Sequence, residues 1–195
     1  MNYQITLNYN DLKALSYIAA KKDVRDYLHG VHINVEDGYL EASNGAHAMR
    51  IKLFPPTCSP GAKNVILSRD NVDFILKSCK AQNGLVSMVI DTDANTLQTN
   101  GVTLPLYAAI DIQYPSFNRV FPKADEAFTR ELTAWGFDTG LLADYGKALK
   151  VLFKKDLPVF APEFFGKYLH QCAYCAIGNM EYVIMCCRDL KGGKA

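Results

Sequence analysis

The sequence lacks the features that mark membrane and secreted proteins. It has no run of about 18 apolar residues, so no transmembrane helix is expected. The first residues, Met1 to Thr6, contain no basic segment followed by an apolar one, so they do not form a secretory signal. We therefore expect a cytoplasmic protein without a membrane partner.

An excess of charge of either sign is also absent. The 195 residues carry a formal net charge of only +1, although 21% of them are charged. A protein coated with positive charge for general nucleic-acid binding is not indicated, but a local basic face is compatible with this balance. The hydrophobic fraction of 49% is that of a globular protein with a core.

Motifs of the common enzyme classes are missing as well. We find no Walker-type phosphate loop, no HExxH pair and no nucleophile elbow. We therefore predict no catalytic residues, no cofactor and no enzymatic activity. A small cysteine-dependent enzyme using Cys175 and His170 as a nucleophile pair is the catalytic alternative.

Six cysteines are present, and in a cytosolic chain thiols are normally reduced. Cys172 and Cys175 have the spacing of zinc ligands, with His170, Cys186 and Cys187 nearby. Against a metal, we expect the first pair at a helix end among apolar residues. The adjacent Cys186 and Cys187 would point to opposite faces of a strand. We predict reduced core cysteines and no metal.

An internal repeat with an offset of 60 residues is the main positive feature. Tyr3 to Leu7 alternates as a strand, Asn8 suits a helix N-cap, and an apolar stripe follows at helical spacing. The same order returns with a strand at Val65 to Leu67 and a cap at Ser68. The stripes consist of Leu12, Leu15, Ile18 and Ala19, and of Val72, Ile75, Leu76 and Cys79.

Three strands are predicted after each of these helices. They cover residues 27–35, 39–42 and 48–53 in the first unit, and 85–90, 96–99 and 104–112 in the second. Asp37-Gly38 and Asn100-Gly101 are typical of the turns between such strands. The predicted fold class is α+β, with repeated strand–helix–three-strand units.

The last third of the chain resembles a shortened copy of this pattern. A third unit begins near Trp135, with Asp138 or Thr139 as cap of a helix carrying Leu141, Leu142, Tyr145, Leu149 and Leu152. A fourth begins near Val159, with a helix through Phe164, Phe165, Tyr168 and Leu169, and a last strand covers Tyr182 to Cys186. Only 23 residues separate the cap of the third predicted helix from that of the fourth. The third unit has therefore lost its strands or keeps rudimentary ones. We expect a complete domain at 1–122, a reduced one at 123–190 and a flexible tail at 191–195.

Four segments in this order resemble the DNA polymerase III beta subunit, the bacterial sliding clamp. Asp23 to Val31 is similar to the family's VRYYLNG stretch, and Ala42 to Ala48 to its ATDGHRL stretch. Tyr114 to Pro122 resembles the FPDYRRVLP link into the last domain, and Val183 to Arg188 the C-terminal VVMPMR. The resemblance covers a middle domain and a reduced last domain.

The resemblance implies a DNA-clamp-like fold with antiparallel sheets and helices on one face. It also implies a non-catalytic DNA-replication accessory protein that contacts the duplex DNA backbone, short hydrophobic peptides of replication or repair proteins, or both. The alternative is an adaptor or regulator of the same fold that binds protein and not DNA. A homo-oligomer is compatible with either.

The helical segments carry the charge that DNA contact requires. Residues 10–22, 69–80 and 140–155 carry +2, +1 and +3, so the remainder of the chain carries −5. Non-specific contact with phosphates is one interpretation, and complementation of the helix dipoles on a solvated face is the other. The candidate DNA-contacting residues are Lys13, Lys21, Lys22, Arg69, Lys77, Lys80, Lys147, Lys150 and Lys154.

The positions that match the family's peptide pocket form the second candidate site. The family's larger residues are replaced by Ala46 and Ala48, and its Pro-Met pair by Cys186 and Cys187. The alternative to a peptide groove is a closed interdomain core. The candidate peptide-binding residues are Ser43, Gly45, His47, Pro115, Val120, Val183, Met185 and Arg188.

Overall fold

The computed structural model describes residues 2–53, 60–79, 84–106, 114–122, 136–153, 162–165 and 172–186. The first repeat unit comprises β1 (Asn2–Asn8), α1 (Tyr9–Ile18), β2 (Gly30–Asn34), β3 (Tyr39–Ser43) and β4 (His47–Lys52). The second comprises β5 (Val65–Ser68), α2 (Arg69–Ser78), β6 (Leu85–Asp91), β7 (Thr96–Thr99) and β8 (Val102–Pro105). The C-terminal part holds α3 (Thr139–Phe153), β9 (Glu163–Phe165), β10 (Cys172–Ile177) and β11 (Met180–Met185).

The three helices begin where the sequence predicts them. The Asn8 side chain accepts a hydrogen bond from the Asn10 amide at 2.8 Å, and Ser68 accepts one from the Asn71 amide at 3.2 Å. Asp138 accepts from the Gly140 amide at 2.7 Å, so it rather than Thr139 caps α3. Each cap satisfies amides that the first helical turn leaves without a partner. The capped helix start therefore occurs three times, and in α1 and α2 it directly follows a strand.

Most strands predicted in the two repeat units are confirmed. One begins later than predicted, and another matches its prediction only in part. Residues 26–29 form a 3₁₀ turn, so the strand predicted to begin at Tyr27 begins at Gly30. Asn100 and Gly101 have φ values of 49° and 73°, as a two-residue hairpin turn requires. The strand predicted at 104–112 overlaps β8 only at Leu104 and Pro105, and residues 107–112 lie outside the described ranges.

All strand pairs in the two sheets are antiparallel. One sheet has the order β1-β6-β7-β8 and the other the order β5-β2-β3-β4-β11-β10-β9. The larger sheet joins the first repeat unit to the C-terminal part through β4 and β11, with Val183 opposite Ala48. The C-terminal segment thus continues the sheet of the first unit.

The main core lies between the helices and the sheets. Leu12, Leu15 and Ile18 of α1 are fully buried, and they belong to one continuous cluster with Ala148 of α3 and Ile184 of β11. Residues from both predicted domains therefore share this core. None of the helices in the described part of the chain is long and apolar enough to cross a membrane.

Two predictions for the C-terminal part are wrong. Phe164 and Phe165, predicted in a fourth helix, lie in β9, which pairs with β10. Tyr168 and Leu169 of that predicted helix lie outside the described residues. Cys172 and Cys175, predicted at a helix end, lie in β10. An apolar spacing of a few residues, shared by helices and strands, does not separate the two in so short a segment.

Candidate functional site

The segment at residues 114–122, called the linker below, lies across the face of the larger sheet that points away from the helices. Strand alternation places Ala48, Tyr174 and Val183 on this outer face. Ala48, Val183, Phe117 and Phe121 form a second, smaller core there. The linker is therefore fixed to the sheet by its own hydrophobic cluster.

A groove of about 360 Å³ opens between the linker and the end of the sheet. It collects most of the residues that the clamp resemblance selected, from segments far apart in the chain. Its lining comprises Arg25, Leu28, Ser43, Gly45, Ala46, His47, Ala48, Pro115, Phe117, Arg119, Val120, Cys172, Val183 and Met185. Seven of the eight candidate peptide-binding residues are among them, and the eighth, Arg188, lies outside the described residues.

The groove combines a buried apolar floor with exposed apolar rims. Ala48, Phe117 and Val183 are each at most 3% exposed and form the floor. Val120 and Met185 remain 44% and 50% exposed on the rims. Since a closed interdomain core would bury both rim residues, the structure corresponds to an open groove.

The turn between β3 and β4 forms one end of the groove, and its polar groups are engaged within the turn. The Ser43 hydroxyl donates to the His47 carbonyl at 2.8 Å and accepts from the Gly45 amide at 3.0 Å. The Met185 amide donates to the Ala46 carbonyl at 2.9 Å, which ties β11 to the turn. Ser43 therefore shapes the turn that forms the groove wall.

Gly45 is favoured in this turn by its backbone conformation and by the close approach of the Arg25 side chain. Its φ of +88° belongs to the region that favours glycine. A Cβ atom at this position would also lie 2.3 Å from Nη2 of Arg25, whose guanidinium packs against the Gly45 backbone. The turn and the Arg25 side chain thus form one continuous wall.

His47 contributes to the groove differently from the prediction. It alternates with Ala48 along β4, so its ring lies on the helix side of the sheet, where His47 is 3% exposed. Its Nδ1 lies 3.1 Å from the Tyr182 hydroxyl. Burial lowers the pKa of His47 to about 4, so the imidazole is neutral at pH 7. Only the main chain of His47 is left to face the groove.

Positive charge lies at the rim of the groove. Nε and Nη2 of Arg25 donate to the two carboxylate oxygens of Asp23 at 2.8 and 2.9 Å. These hydrogen bonds hold the pKa of Asp23 well below its usual range. Arg119 on the linker is exposed. The rim therefore favours a ligand that carries negative charge.

Two candidate DNA-contacting residues, Lys21 after the end of α1 and Lys147 on α3, meet at the acidic residue Asp144. Nζ of Lys147 lies 2.7 Å from Asp144, and Nζ of Lys21 lies 3.6 Å from the same carboxylate. Burial acts against the charged form, but the bond from Lys147 and the charge of Lys21 keep the pKa of Asp144 below its ordinary value. Asp144 thus neutralises part of the positive charge on this face.

The remaining basic candidates are spread over the helical side of the molecule. Lys22, Lys77 and Lys150 are exposed, whereas Lys13 and Arg69 are half-buried. Lys21 and Lys22, predicted within the first helix, follow its end at Ile18. Lys80 and Lys154 lie outside the described residues.

The two cysteines with zinc-ligand spacing lie on different faces of β10. Cys172 lines the groove, whereas Cys175 is buried on the helix side, 3.5 Å from the hydroxyl of Tyr145, which donates to it. Within the described ranges, no group of three or more His, Cys, Asp or Glu side chains is placed to hold a metal ion. His170, the partner in the alternative nucleophile pair, lies outside those ranges.

Sequence reasoning missed the residues that hold the linker in place. Tyr114 stacks on His32 with ring centroids 4.4 Å apart, and Arg50 lies over the ring of Phe121 at 4.5 Å. The available signal was the polar alternation of Glu41, Arg50 and Glu181 within strands whose other face is apolar.

Comparison with known proteins identifies the fold. No family model and no curated protein sequence matches the chain. Among solved structures, the DNA polymerase sliding clamp of Pseudomonas aeruginosa with ligand is similar over 95% of this chain and 66% of its own, with a TM-score of 0.65 and 18% identity. The clamp of Bartonella birtlesii bound to griselimycin covers the same shares, with a TM-score of 0.67 and 16% identity.

The DNA polymerase III beta subunit of Thermotoga maritima is similar over 96% of this chain and 65% of its own, with a TM-score of 0.64 and 12% identity. The chain thus spans about two thirds of the length of the clamps that it matches. The fold predicted from the sequence is confirmed: the chain has the α+β architecture of the bacterial sliding clamp.

Proposed function

We propose that this chain is a non-catalytic, clamp-like accessory protein of DNA replication that receives short hydrophobic peptides of replication or repair proteins in its groove. The observation that carries the proposal is the groove itself. Residues chosen from three separate sequence segments meet around one open apolar cavity. A closed core would bury Val120 and Met185, and both residues are exposed here.

The shape and charge of the groove define the peptides that fit. A binding site needs an apolar floor and a few polar guides, and Val183, Ala48 and Phe117 supply the floor. The small Ala46 and Ala48 leave room where the clamp family has larger residues, so bulky apolar side chains are favoured. Arg119 at the rim favours an acidic residue or a terminal carboxylate beside the apolar anchor.

Isothermal calorimetry with a panel of hydrophobic peptides tests this function. We expect affinities around micromolar, about −8 kcal/mol. Met185→Ala removes an exposed apolar anchor at the rim, so it weakens binding by about 1–2 kcal/mol, and Val120→Ala weakens it by about 1 kcal/mol. Peptides with bulky apolar side chains and an acidic neighbour bind more tightly than their smaller or basic counterparts.

Val89→Ala is the matched control for Val120→Ala. Val89 is 40% exposed on β6, in the sheet that does not border the groove, so its truncation leaves peptide binding unchanged. Equal effects of the two valine substitutions would show binding outside the groove. No heat with any peptide of the panel would contradict the proposed function.

Contact with duplex DNA is the second candidate function. Lys21 and Lys147, which come from different helical segments, converge within 4 Å of Asp144 on the helical side. Such a face suits weak, sequence-independent contact with phosphates. A clamp-fold adaptor that binds only protein would have the same groove without affinity for DNA, so the two functions are separated by DNA titration.

A further inference from the structure

We propose that Arg50 is the positioning residue of the groove: it fixes the linker on the outer face of the sheet and so sets the affinity for peptides. This inference rests on the proposed function. Arg50 does not line the groove itself and acts through the linker, which supplies Phe117, Arg119 and Val120 to the groove wall.

The guanidinium of Arg50 is enclosed between two aromatic rings. Its central carbon lies 4.6 Å from the ring centroid of Tyr39 on β3 and 4.5 Å from that of Phe121 at the end of the linker. Both distances are within the range of a cation–π contact. A planar group fills this space between two rings, whereas the ammonium of a lysine does not.

The edges of the same guanidinium join three parts of the fold. Nη1 donates to the Asn118 side chain on the linker at 3.0 Å, and Nη2 donates to Glu181 on β11 at 2.9 Å. Glu181 also accepts from the Tyr174 hydroxyl at 3.1 Å, and Tyr174 meets Phe121 edge to face. One side chain thus connects β4, β11 and the linker.

Stability alone does not account for an arginine at this position. The side chain is 13% exposed, and its Nε is buried without a hydrogen-bond partner among the described residues. Replacing both partners of a buried ion pair by apolar residues often costs little stability, so the pair of Arg50 and Glu181 is not needed for stability alone. What an apolar residue does not reproduce is the directional contact with Asn118 and the stacking on Phe121, which together define where the linker lies.

The position of the linker in turn determines the shape of the groove. The amides of Val120 and Phe121 both donate to the Phe117 carbonyl at 2.9 Å, so the turn moves as a unit. Val120, at the rim, is part of this turn. A linker that shifts on the sheet therefore narrows or widens the groove, and binding then includes the cost of ordering it.

Hydrogen exchange and peptide calorimetry on Arg50→Met and Arg50→Lys test this role. In Arg50→Met we expect exchange of the Val120 and Phe121 amides to accelerate about tenfold, with β10 and β11 unchanged within about twofold. The dissociation constant of a groove peptide rises about tenfold, because binding must now order the linker. The melting temperature falls as well, because Glu181 loses its cationic partner and keeps only the hydrogen bond from Tyr174.

Arg50→Lys and Lys52→Met provide the comparison. Arg50→Lys keeps the charge opposite Glu181 without the planar stack, so it restores only part of the affinity. Lys52 is exposed two residues further along the same face of β4, so Lys52→Met leaves both measurements unchanged. Unchanged exchange and affinity in Arg50→Met would overturn the inference. If the unsubstituted chain binds no peptide but Arg50→Met still accelerates exchange, the positioning of the linker by Arg50 is upheld. Only the peptide function is then overturned.

Discussion

Two buried titratable residues, His47 and Asp11, respond to acid in opposite directions. Burial lowers the pKa of His47 from 6.5 to about 4, so between these values the unfolded chain holds a proton that the folded chain excludes. Acidification through this window lowers the free energy of unfolding, by about 3 kcal/mol in total. Burial raises the pKa of Asp11 from 3.8 to about 6, so acidification from pH 6 to 3.8 raises the free energy of unfolding.

We therefore expect the combined contribution of His47 and Asp11 to the free energy of unfolding to change little between pH 6 and 4 in the unsubstituted chain. Asp11→Asn removes the compensating group, so the free energy of unfolding of this variant falls as the pH is lowered from 6.5 to 4. His47→Gln shows the reverse slope below pH 6. Urea unfolding at several pH values measures both. If the stability of Asp11→Asn had the same pH dependence as that of the parent chain, the raised pKa of Asp11 would be contradicted.

At the scale of elements, an aromatic pair contributes to the contact between α3 and the larger sheet. The rings of Tyr145 and Tyr182 stack with centroids 4.1 Å apart, and the Tyr145 hydroxyl donates to Cys175. Tyr145→Ala should lower the free energy of unfolding by about 3–5 kcal/mol, because it removes a buried ring and leaves a cavity. Tyr145→Phe keeps the stack and should cost no more than about 1 kcal/mol. Equal losses in a denaturation experiment would contradict this attachment.

Local patterns in the sequence predicted helices correctly where a capping residue marks the start of the helix. Asn8 and Ser68 cap their helices as predicted, because a capping side chain satisfies amides only a few residues away. The last strand was predicted and is present as β11, but β9 and β10 were not predicted, since Phe164 forms its pairs with β10, eight or more residues further along the chain. Pairing of this kind depends on partners that a local pattern does not contain.

The candidate groove was predictable in its membership but not in its chemistry. The clamp resemblance selected Pro115, Val120 and Met185, and the structure brings them together. It did not reveal that Ser43 is engaged within its own turn or that the His47 ring points to the helices. Those roles follow from strand alternation and turn geometry, in which one residue of shift exchanges the two faces of a sheet.

At the scale of the molecule, the two candidate surfaces lie on opposite sides of the larger sheet. The groove and the linker occupy the outer face, and the basic helices cover the inner one. Peptide binding and DNA contact therefore involve separate residues. Substitutions on one face should leave the other function intact, so a chain that has lost either activity can be examined for the second.

Titration of a short fluorescent DNA duplex at low salt tests the helical face. Binding to the parent chain should be weak, independent of sequence and steeply reduced by salt, since each neutralised phosphate contributes a slope of about 0.9 in the logarithm of the binding constant. Replacing Lys147, Lys150 and Lys154 together by Glu abolishes it. Asp144→Asn strengthens it, because the carboxylate no longer neutralises Lys21 and Lys147.

Lys147→Glu and Lys52→Glu form a matched pair in this experiment, because both change the net charge by the same amount. Both lysines are exposed, but Lys52 lies on the outer face of β4, away from the helices. If phosphates contact the helical face, Lys147→Glu weakens binding more than Lys52→Glu does. Equal losses would indicate a response to net charge alone. If even Asp144→Asn bound no duplex at low salt, DNA contact would be excluded for this chain. The alternative function, an adaptor with the clamp fold that binds peptides and not DNA, would then remain.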